Sequence, residues 1–165
     1  MKQRFYVHET SIIENKVQIG NGTKVWHWVH IDVGAKIGKN CTIGQNVYIG
    51  KNVKIGDNVK IQNNVSVYEG VKIGNNVFCG PSCVFTNDLF PQSKRKKKKY
   101  QKTIVHNGVT IGANSTILSN LSIGKNSFVG AGSLVNKSVK QNFMVFGAPA
   151  KHIYKISKKK IDEFF

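Results

Sequence analysis

Aliphatic side chains recur at every sixth position of this chain from Val7 to Ile73. A period of six fits neither the 3.6 residues of an α-helical turn nor the alternation of a flat strand. Glycine follows many of these residues directly, and asparagine follows many of them after three positions, as at Asn40 and Asn46. Both residue types adopt positive φ readily. The pattern therefore predicts an all-β fold, with short strands and tight corners wound into a solenoid of hexapeptide repeats.

The repeat is interrupted once, in the middle of the chain. It continues through Cys79 and Phe85 and resumes at Val105, but the spacing across the interruption is two residues more than a multiple of six. Residues 86–104 are therefore predicted to leave the solenoid as one long external loop, which carries the basic run 94–99. Long loops inside compact domains are usually functional or disordered.

Length and composition predict a single domain with a buried core. The chain has no run of eighteen apolar residues and no signal-peptide pattern, so we expect a cytoplasmic protein without a membrane partner. The three cysteines, Cys41, Cys79 and Cys83, lack a paired metal spacing. They occupy positions that the repeat turns inward, and we interpret them as small core residues.

A net charge of +17 favours anionic ligands, and nine of the positive charges lie in the runs 94–99 and 158–160. The run 94–99 is either a solvated loop or a contact for a phosphate-rich small ligand such as a nucleotide or coenzyme. Aromatic residues are not interleaved with the basic ones, so nucleic acid is not the expected partner. A non-catalytic basic solenoid that binds nucleic acid or an acidic surface stays as an alternative, and it would show salt-dependent DNA binding without coenzyme affinity.

If three hexapeptides form one triangular coil, residues eighteen apart stack on neighbouring coils at the usual strand spacing of about 4.8 Å. The predicted columns are His27 with Gln45 and Asn63, His30 with Tyr48 and Ser66, Trp26 with Gly44, Gln62 and Gly80, and Lys51 with Glu69 and Asn87. The small residue after the aliphatic one is replaced at Trp26, Gln62 and Tyr68. Departures from a scaffold rule are expected at functional sites, so these segments predict a site.

Six segments carry a resemblance to a known family: 25–27, 43–47, 60–71, 77–82, 84–87 and 147–150. Together they resemble the left-handed parallel β-helix acyltransferases with hexapeptide repeats. Within that group they are most similar to the bacterial N-acetyltransferases of nucleotide-linked 3-amino sugars. The resemblance implies a homotrimer, with acetyl-CoA as co-substrate in a cleft between neighbouring solenoids and no metal. It also implies a β-helix domain over residues 1–150 and a short C-terminal helix within 151–165.

The stacked columns, taken with this resemblance, suggest roles for individual residues. Asn87 and Glu69 are expected to orient the sugar and its amine, and His27 or His30 is the alternative general base. The predicted substrate contacts are Gln62, Asn63, Asn64, Tyr68 and Phe85. The coenzyme is expected to approach the backbone of Gly112, Ala113, Gly130 and Ala131, while Lys137, Lys151 or the run 94–99 meets its phosphates.

The favoured acceptor is a dTDP-3-amino-3,6-dideoxyhexose, and a UDP-linked 3-amino-glucuronic acid derivative is the runner-up. An acidic sugar calls for a well-placed arginine, and the chain contains only Arg4 and Arg95. Similar enzymes often carry a Pro-Arg pair after Asn87, which this sequence lacks. A zinc carbonic anhydrase on the same solenoid is disfavoured, because no further histidine lies one coil from His27 or His30.

Overall fold

The computed structural model describes residues 4–94 and 99–157. Their regular structure consists of 22 short strands in three sheets, called here A, B and C. Sheet A contains Tyr6–Val7 (β1), Lys24–Val25 (β4), Thr42–Ile43 (β7), Lys60–Ile61 (β10), Phe78–Cys79 (β13), Thr110–Ile111 (β16), Phe128–Val129 (β19), Phe143–Phe146 (β21) and Lys151–Lys155 (β22). Sheet B contains Ile12–Ile13 (β2), His30–Ile31 (β5), Tyr48–Ile49 (β8), Ser66–Val67 (β11), Val84–Phe85 (β14), Thr116–Ile117 (β17) and Leu134–Val135 (β20). Sheet C contains Gln18–Ile19 (β3), Lys36–Ile37 (β6), Lys54–Ile55 (β9), Val71–Ile73 (β12), Thr103–Val105 (β15) and Ser122–Ile123 (β18).

From β1 to β20, successive strands belong to sheets A, B and C in turn, so three strands make one coil of a parallel solenoid. Val25 pairs with Ile43 and Ile43 with Ile61, which confirms the predicted stacking of residues eighteen apart. Across the loop, Ile73 pairs with Val105 and the register is kept. No helix long and apolar enough to cross a membrane occurs in the described part of the chain.

The repeating aliphatic residues form the core of the solenoid. Ile31, Ile43 and Ile61 are fully buried, and each stacks on its equivalent in the next coil. Burying one such side chain contributes roughly 1.5–3 kcal/mol. The prediction for the cysteines is confirmed, because Cys41, Cys79 and Cys83 are all buried and unpaired.

The corners explain the recurring asparagines. Asn40, Asn46 and Asn64 have φ of 54°, 56° and 61°, the left-handed region in which asparagine is tolerated better than most residues. Stacked corners also approach each other closely: a Cβ on Gly44 would lie 2.8 Å from the backbone nitrogen of Asn63. Glycine is therefore required there by the spacing between coils.

The C-terminal segment differs from the prediction. Lys151–Lys155 is a strand, β22, which pairs antiparallel with β21 at the last edge of sheet A. The prediction of a helix is wrong for these five residues, because the sheet edge offers them unpaired backbone groups. The rest of the predicted helix, from residue 158 onward, lies outside the described residues.

Candidate active site

The predicted site residues divide between the two corners that flank sheet B. We call the turns between sheets A and B the A–B corner; they comprise residues 26–28, 44–46, 62–64, 80–82, 112–114 and 130–132. The turns between sheets B and C are called the B–C corner; they comprise residues 32–34, 50–52, 68–70, 118–120 and 136–138, and the external loop leaves this corner after β14. His27 and Asn63 therefore lie on one side of sheet B, and Glu69 and Asn87 on the other.

At the A–B corner, His27, Gln45 and Asn63 form a column, as predicted, and line a shallow groove of about 190 Å³ together with Trp26. The Asn63 side-chain oxygen accepts a hydrogen bond of 2.9 Å from the Gln45 backbone N–H. Asn64 has a φ of 61°. Both asparagines therefore serve the coil itself, and the amide nitrogen of Asn63 is the part of that side chain left for a ligand.

An aromatic cluster marks the lower end of the A–B corner. The rings of His8 and His27 have centroids 3.6 Å apart, so the expectation that no further histidine lies one coil from His27 is wrong. The rings of Tyr6 and Trp26 are 5.9 Å apart. Trp28 has a φ of 54°, at the repeat position that asparagine or glycine usually occupies. This backbone conformation costs an ordinary residue about 1–2 kcal/mol. Strain of this kind is typical of functional sites, so the cluster is a candidate ligand surface.

The outer face of sheet B carries polar side chains between the two corners. His30 Nε2 lies 3.5 Å from a carboxylate oxygen of Glu14. The Tyr48 hydroxyl donates to the Asp32 carboxylate over 3.4 Å. Burial raises the pKa of Tyr48, and the negative charge of Asp32 raises it further. The phenol therefore stays a neutral donor well above neutral pH, with the ring of Tyr68 5.5 Å away.

At the B–C corner the structure brings Glu69 and Asn87 together, as the eighteen-residue spacing predicts. The Asn87 side-chain amide donates to the backbone oxygen of Glu69 over 3.2 Å. The backbone oxygen of Asn87 accepts from the Gln101 N–H over 3.1 Å, which closes the base of the external loop. The Glu69 carboxylate is not used by either contact, so it is free to bind a ligand.

A cavity of about 630 Å³ opens beside Glu69, and the sequence pattern does not predict it. Strand positions Lys54 and Lys72 form one wall, and the returning end of the loop, with Tyr100 and Lys102, forms another. Lys51 and Lys99 also line it. The repeat gives no information about where a loop returns, which is why the cavity could not be read from the sequence.

The coils above carry the residues predicted to meet the coenzyme. A Cβ on Gly112 would overlap the backbone nitrogen of Ala131, and one on Gly130 would overlap the ring of Phe146. These glycines are therefore explained by packing, and their N–H groups donate to the coil above. Among the described residues, the N–H groups of Ala113 and Ala131 have no acceptor. They are backbone donors available to a ligand on these coils of the corner.

One further prediction is changed by the structure. Phe85 is fully buried in the core, so the prediction that it contacts substrate is wrong: its place in the six-residue period turns it inward. Lys137 belongs to the B–C corner and Lys151 to the edge strand β22, and the prediction that either of them meets the coenzyme phosphates stays a prediction. In the described part of the chain, no three His, Cys, Asp or Glu side chains are grouped as metal ligands would be.

Comparison with known proteins adds to this geometry. The model of the bacterial transferase hexapeptide (six repeats) family matches residues 16–51, 34–68, 52–87 and 102–137. The dTDP-3-amino-3,6-dideoxy-alpha-D-galactopyranose 3-N-acetyltransferase of Aneurinibacillus thermoaerophilus is 47% identical over 146 residues, or 88% of this chain and 76% of that one.

Two solved structures share the fold. AntD, an N-acyltransferase from Bacillus cereus in complex with dTDP and 3-hydroxybutyryl-CoA, gives a TM-score of 0.61 at 23% identity and covers 96% of this chain and 83% of its own. The acetyltransferase domain of PglB from Neisseria gonorrhoeae gives a TM-score of 0.61 at 17% identity, with coverage of 89% and 56%.

Proposed function

Because this chain belongs to the bacterial transferase hexapeptide family of left-handed parallel β-helices, we propose that it is an acetyl-CoA-dependent sugar N-acetyltransferase. The acetyl group would pass to the 3-amino group of a nucleotide-linked sugar, in the first place a dTDP-3-amino-3,6-dideoxyhexose. The observation that carries the proposal is the 47% identity to an enzyme of that specificity over most of the chain.

Glu69 and Asn87 are the residues proposed to hold the acceptor. The free carboxylate of Glu69 is suited to bind the amine. The Asn87 amide holds the backbone oxygen of Glu69, which helps to fix the position of that residue. The neutral amine then attacks the thioester carbonyl, the carbon–sulfur bond breaks, and the departing thiolate accepts the proton that the amine loses. Orienting two bound reactants alone supplies roughly 7–11 kcal/mol, so a strong base is not required.

The free N–H groups of Ala113 and Ala131 are proposed to meet the acyl donor, one of them at the oxyanion. These donors belong to the A–B corner, whereas Glu69 and Asn87 belong to the B–C corner. In a ring of three copies, the A–B corner of each chain would face the B–C corner of its neighbour. Such a contact joins two different surfaces of the chain, and three such contacts close the ring. We therefore propose a homotrimer with its sites between copies.

His27 and His30 stay as the alternative bases. His27 is held against the ring of His8, and His30 lies beside Glu14. Within one chain neither shares the corner of Glu69 and Asn87, but in the proposed trimer the A–B corner of a neighbour, which carries His27, faces that corner. Replacing either histidine by asparagine would separate the mechanisms: a general base contributes about 10²–10⁴-fold to kcat, and a bystander contributes little.

The test is release of free thiol from acetyl-CoA with a panel of nucleotide-linked 3-amino sugars, thymidine- and uridine-linked, neutral and acidic. Turnover with the dTDP-linked deoxy sugar is expected, and Glu69→Gln and Asn87→Ala should each lower kcat/KM by at least about tenfold, the equivalent of one charged hydrogen bond. Turnover with the uridine-linked acid alone would make that sugar the acceptor. No release of thiol with any sugar of the panel would refute the proposed activity.

The cellular setting is part of the same proposal. Acetyl-CoA and nucleotide-linked sugars would be met in the cytoplasm, and the product would serve the assembly of a surface polysaccharide or a glycoprotein glycan. Purification of the protein from fractionated cells tests the first statement directly.

A further inference from the structure

Three lysines stack in register on the outer face of sheet C. Lys36 pairs with Lys54, and Lys54 pairs with Lys72, so the three stand on adjacent strands about 4.8 Å apart. None of them forms an ion pair with a carboxylate in the described part of the chain. Like charges directly opposite each other destabilise a sheet, so this row is unfavourable in the free protein.

The upper end of the row lies in the cavity at the B–C corner. Lys54 and Lys72 line that cavity together with Lys51, Lys99 and Lys102, and the carboxylate in its lining is that of Glu69. The described residues of the lining therefore carry four net positive charges in a concave space of about 630 Å³. Concavity and convergent charge together favour a compact ligand with more than one negative charge.

We propose that this cavity is the binding site for the diphosphate of the nucleotide-linked acceptor, with Lys54 and Lys72 as its strand-borne contacts. The inference rests on the proposed function for the identity of the ligand, but the anion site itself rests on the lysines. In a 3-amino sugar the amine is attached to C3 and the diphosphate to C1 of one ring. The groups that bind them must therefore be neighbours, as Glu69 and the lysines are in this cavity.

The other source of the same chemistry is the coenzyme, whose nucleotide end also carries phosphates. Glu69, the proposed contact of the sugar amine, lines the cavity itself, whereas Ala113 and Ala131, the proposed contacts of the acyl donor, do not. The geometry therefore assigns the cavity to the acceptor.

The experiment measures binding of dTDP, CoA and inorganic pyrophosphate by calorimetry to the full chain and to the double variant Lys54→Gln/Lys72→Gln. Lys24→Gln is the matched control, because Lys24 also points outward from a strand but stands between Tyr6 and Thr42. We expect the double variant to bind dTDP and pyrophosphate at least tenfold more weakly and CoA within twofold of wild type. In turnover, KM for the dTDP-sugar should rise while kcat changes little.

The outcomes separate this inference from the proposed function. Unchanged dTDP affinity in the double variant, with acetyl transfer intact in the wild type, would overturn the inference and leave the activity standing. A selective loss of CoA affinity would assign the cavity to the donor and also overturn it. Lysine-dependent binding of dTDP without any acetyl transfer would support the cavity assignment and refute the activity, and wild-type protein that binds no dTDP would overturn the assignment.

Discussion

Removing the middle charge of the lysine row should stabilise the free protein. Two unit charges 4.8 Å apart repel by about 0.9 kcal/mol in water, and Lys54 has such a neighbour on each side. The three lysine side chains are exposed and screened by solvent, so the two contacts together are worth less than their sum. We expect Lys54→Gln to raise the free energy of unfolding by about 0.5–1.5 kcal/mol near 0.01 M salt, where screening is weak.

The dependence on salt identifies the cause. At 1 M salt the screening length falls to about 3 Å, which leaves roughly a fifth of the repulsion, so the gain should drop below about 0.4 kcal/mol. Urea unfolding at both salt concentrations measures this, since urea adds no ions and each kilocalorie shifts the midpoint by about 0.5 M for a slope near 2 kcal/mol/M. Lys24→Gln, with Tyr6 and Thr42 as neighbours, should change stability by less than about 0.5 kcal/mol at either concentration.

Two results would refute this reasoning. A gain of the same size at low and high salt would mean that strand propensity, and not repulsion, causes it. An equal gain in Lys24→Gln would mean that any outward lysine is unfavourable, whatever its neighbours. The predicted stabilisation is also opposite in sign to the predicted loss of dTDP affinity, so a variant that is both more stable and weaker in binding would satisfy both arguments.

Three further changes test the scaffold. Gly112→Ala should destabilise by about 1–3 kcal/mol in thermal unfolding, because its Cβ would overlap the coil above, whereas Gly132→Asn, at a φ of 69° with open space, should be nearly neutral. Ile61→Ala should cost about 2–5 kcal/mol in urea unfolding, since the side chain is fully buried, and a smaller loss would show that the coils close the gap. Burial raises the pKa of Cys41, and the contact with Cys83 followed by burial raises that of Cys79, both from an ordinary value of 9.0. The folded state therefore keeps protons that the unfolded chain releases, so stability should be constant below pH 9 and fall as the pH rises above it, which unfolding between pH 7 and 10.5 measures; a flat profile would contradict this.

Much of the fold follows from the repeat alone. The six-residue period sets the inward positions and, with three repeats to a coil, the register that places Asn87 against Glu69. The prediction that Phe85 contacts substrate departed from this rule, because its position in the period already marked it as a core residue. Local patterns of this kind are reliable because every coil repeats the same contacts.

The features that the sequence did not yield are the ones that break the repeat. The resemblance implies a helix for Lys151–Lys155, but the open edge of sheet A decides its conformation. The cavity at the B–C corner depends on where Lys102 and Tyr100 return to the solenoid, and no periodic rule describes the path of a single loop. The division of the site between two corners likewise needs the geometry of the coil.

The retained register across the external loop has a consequence for how this protein tolerates insertions and deletions. Ile73 pairs with Val105, so equivalent positions are 32 residues apart across the coil that contains the loop and eighteen apart in its neighbours. Adding or removing residues within that loop leaves every later side chain on its own face. Elsewhere, an insertion or deletion of six residues would move each later side chain to the next of the three sheets. Only a change by a multiple of eighteen residues would return it to its original sheet. Natural variants of this chain should therefore differ freely in loop length but change their coils only in whole turns.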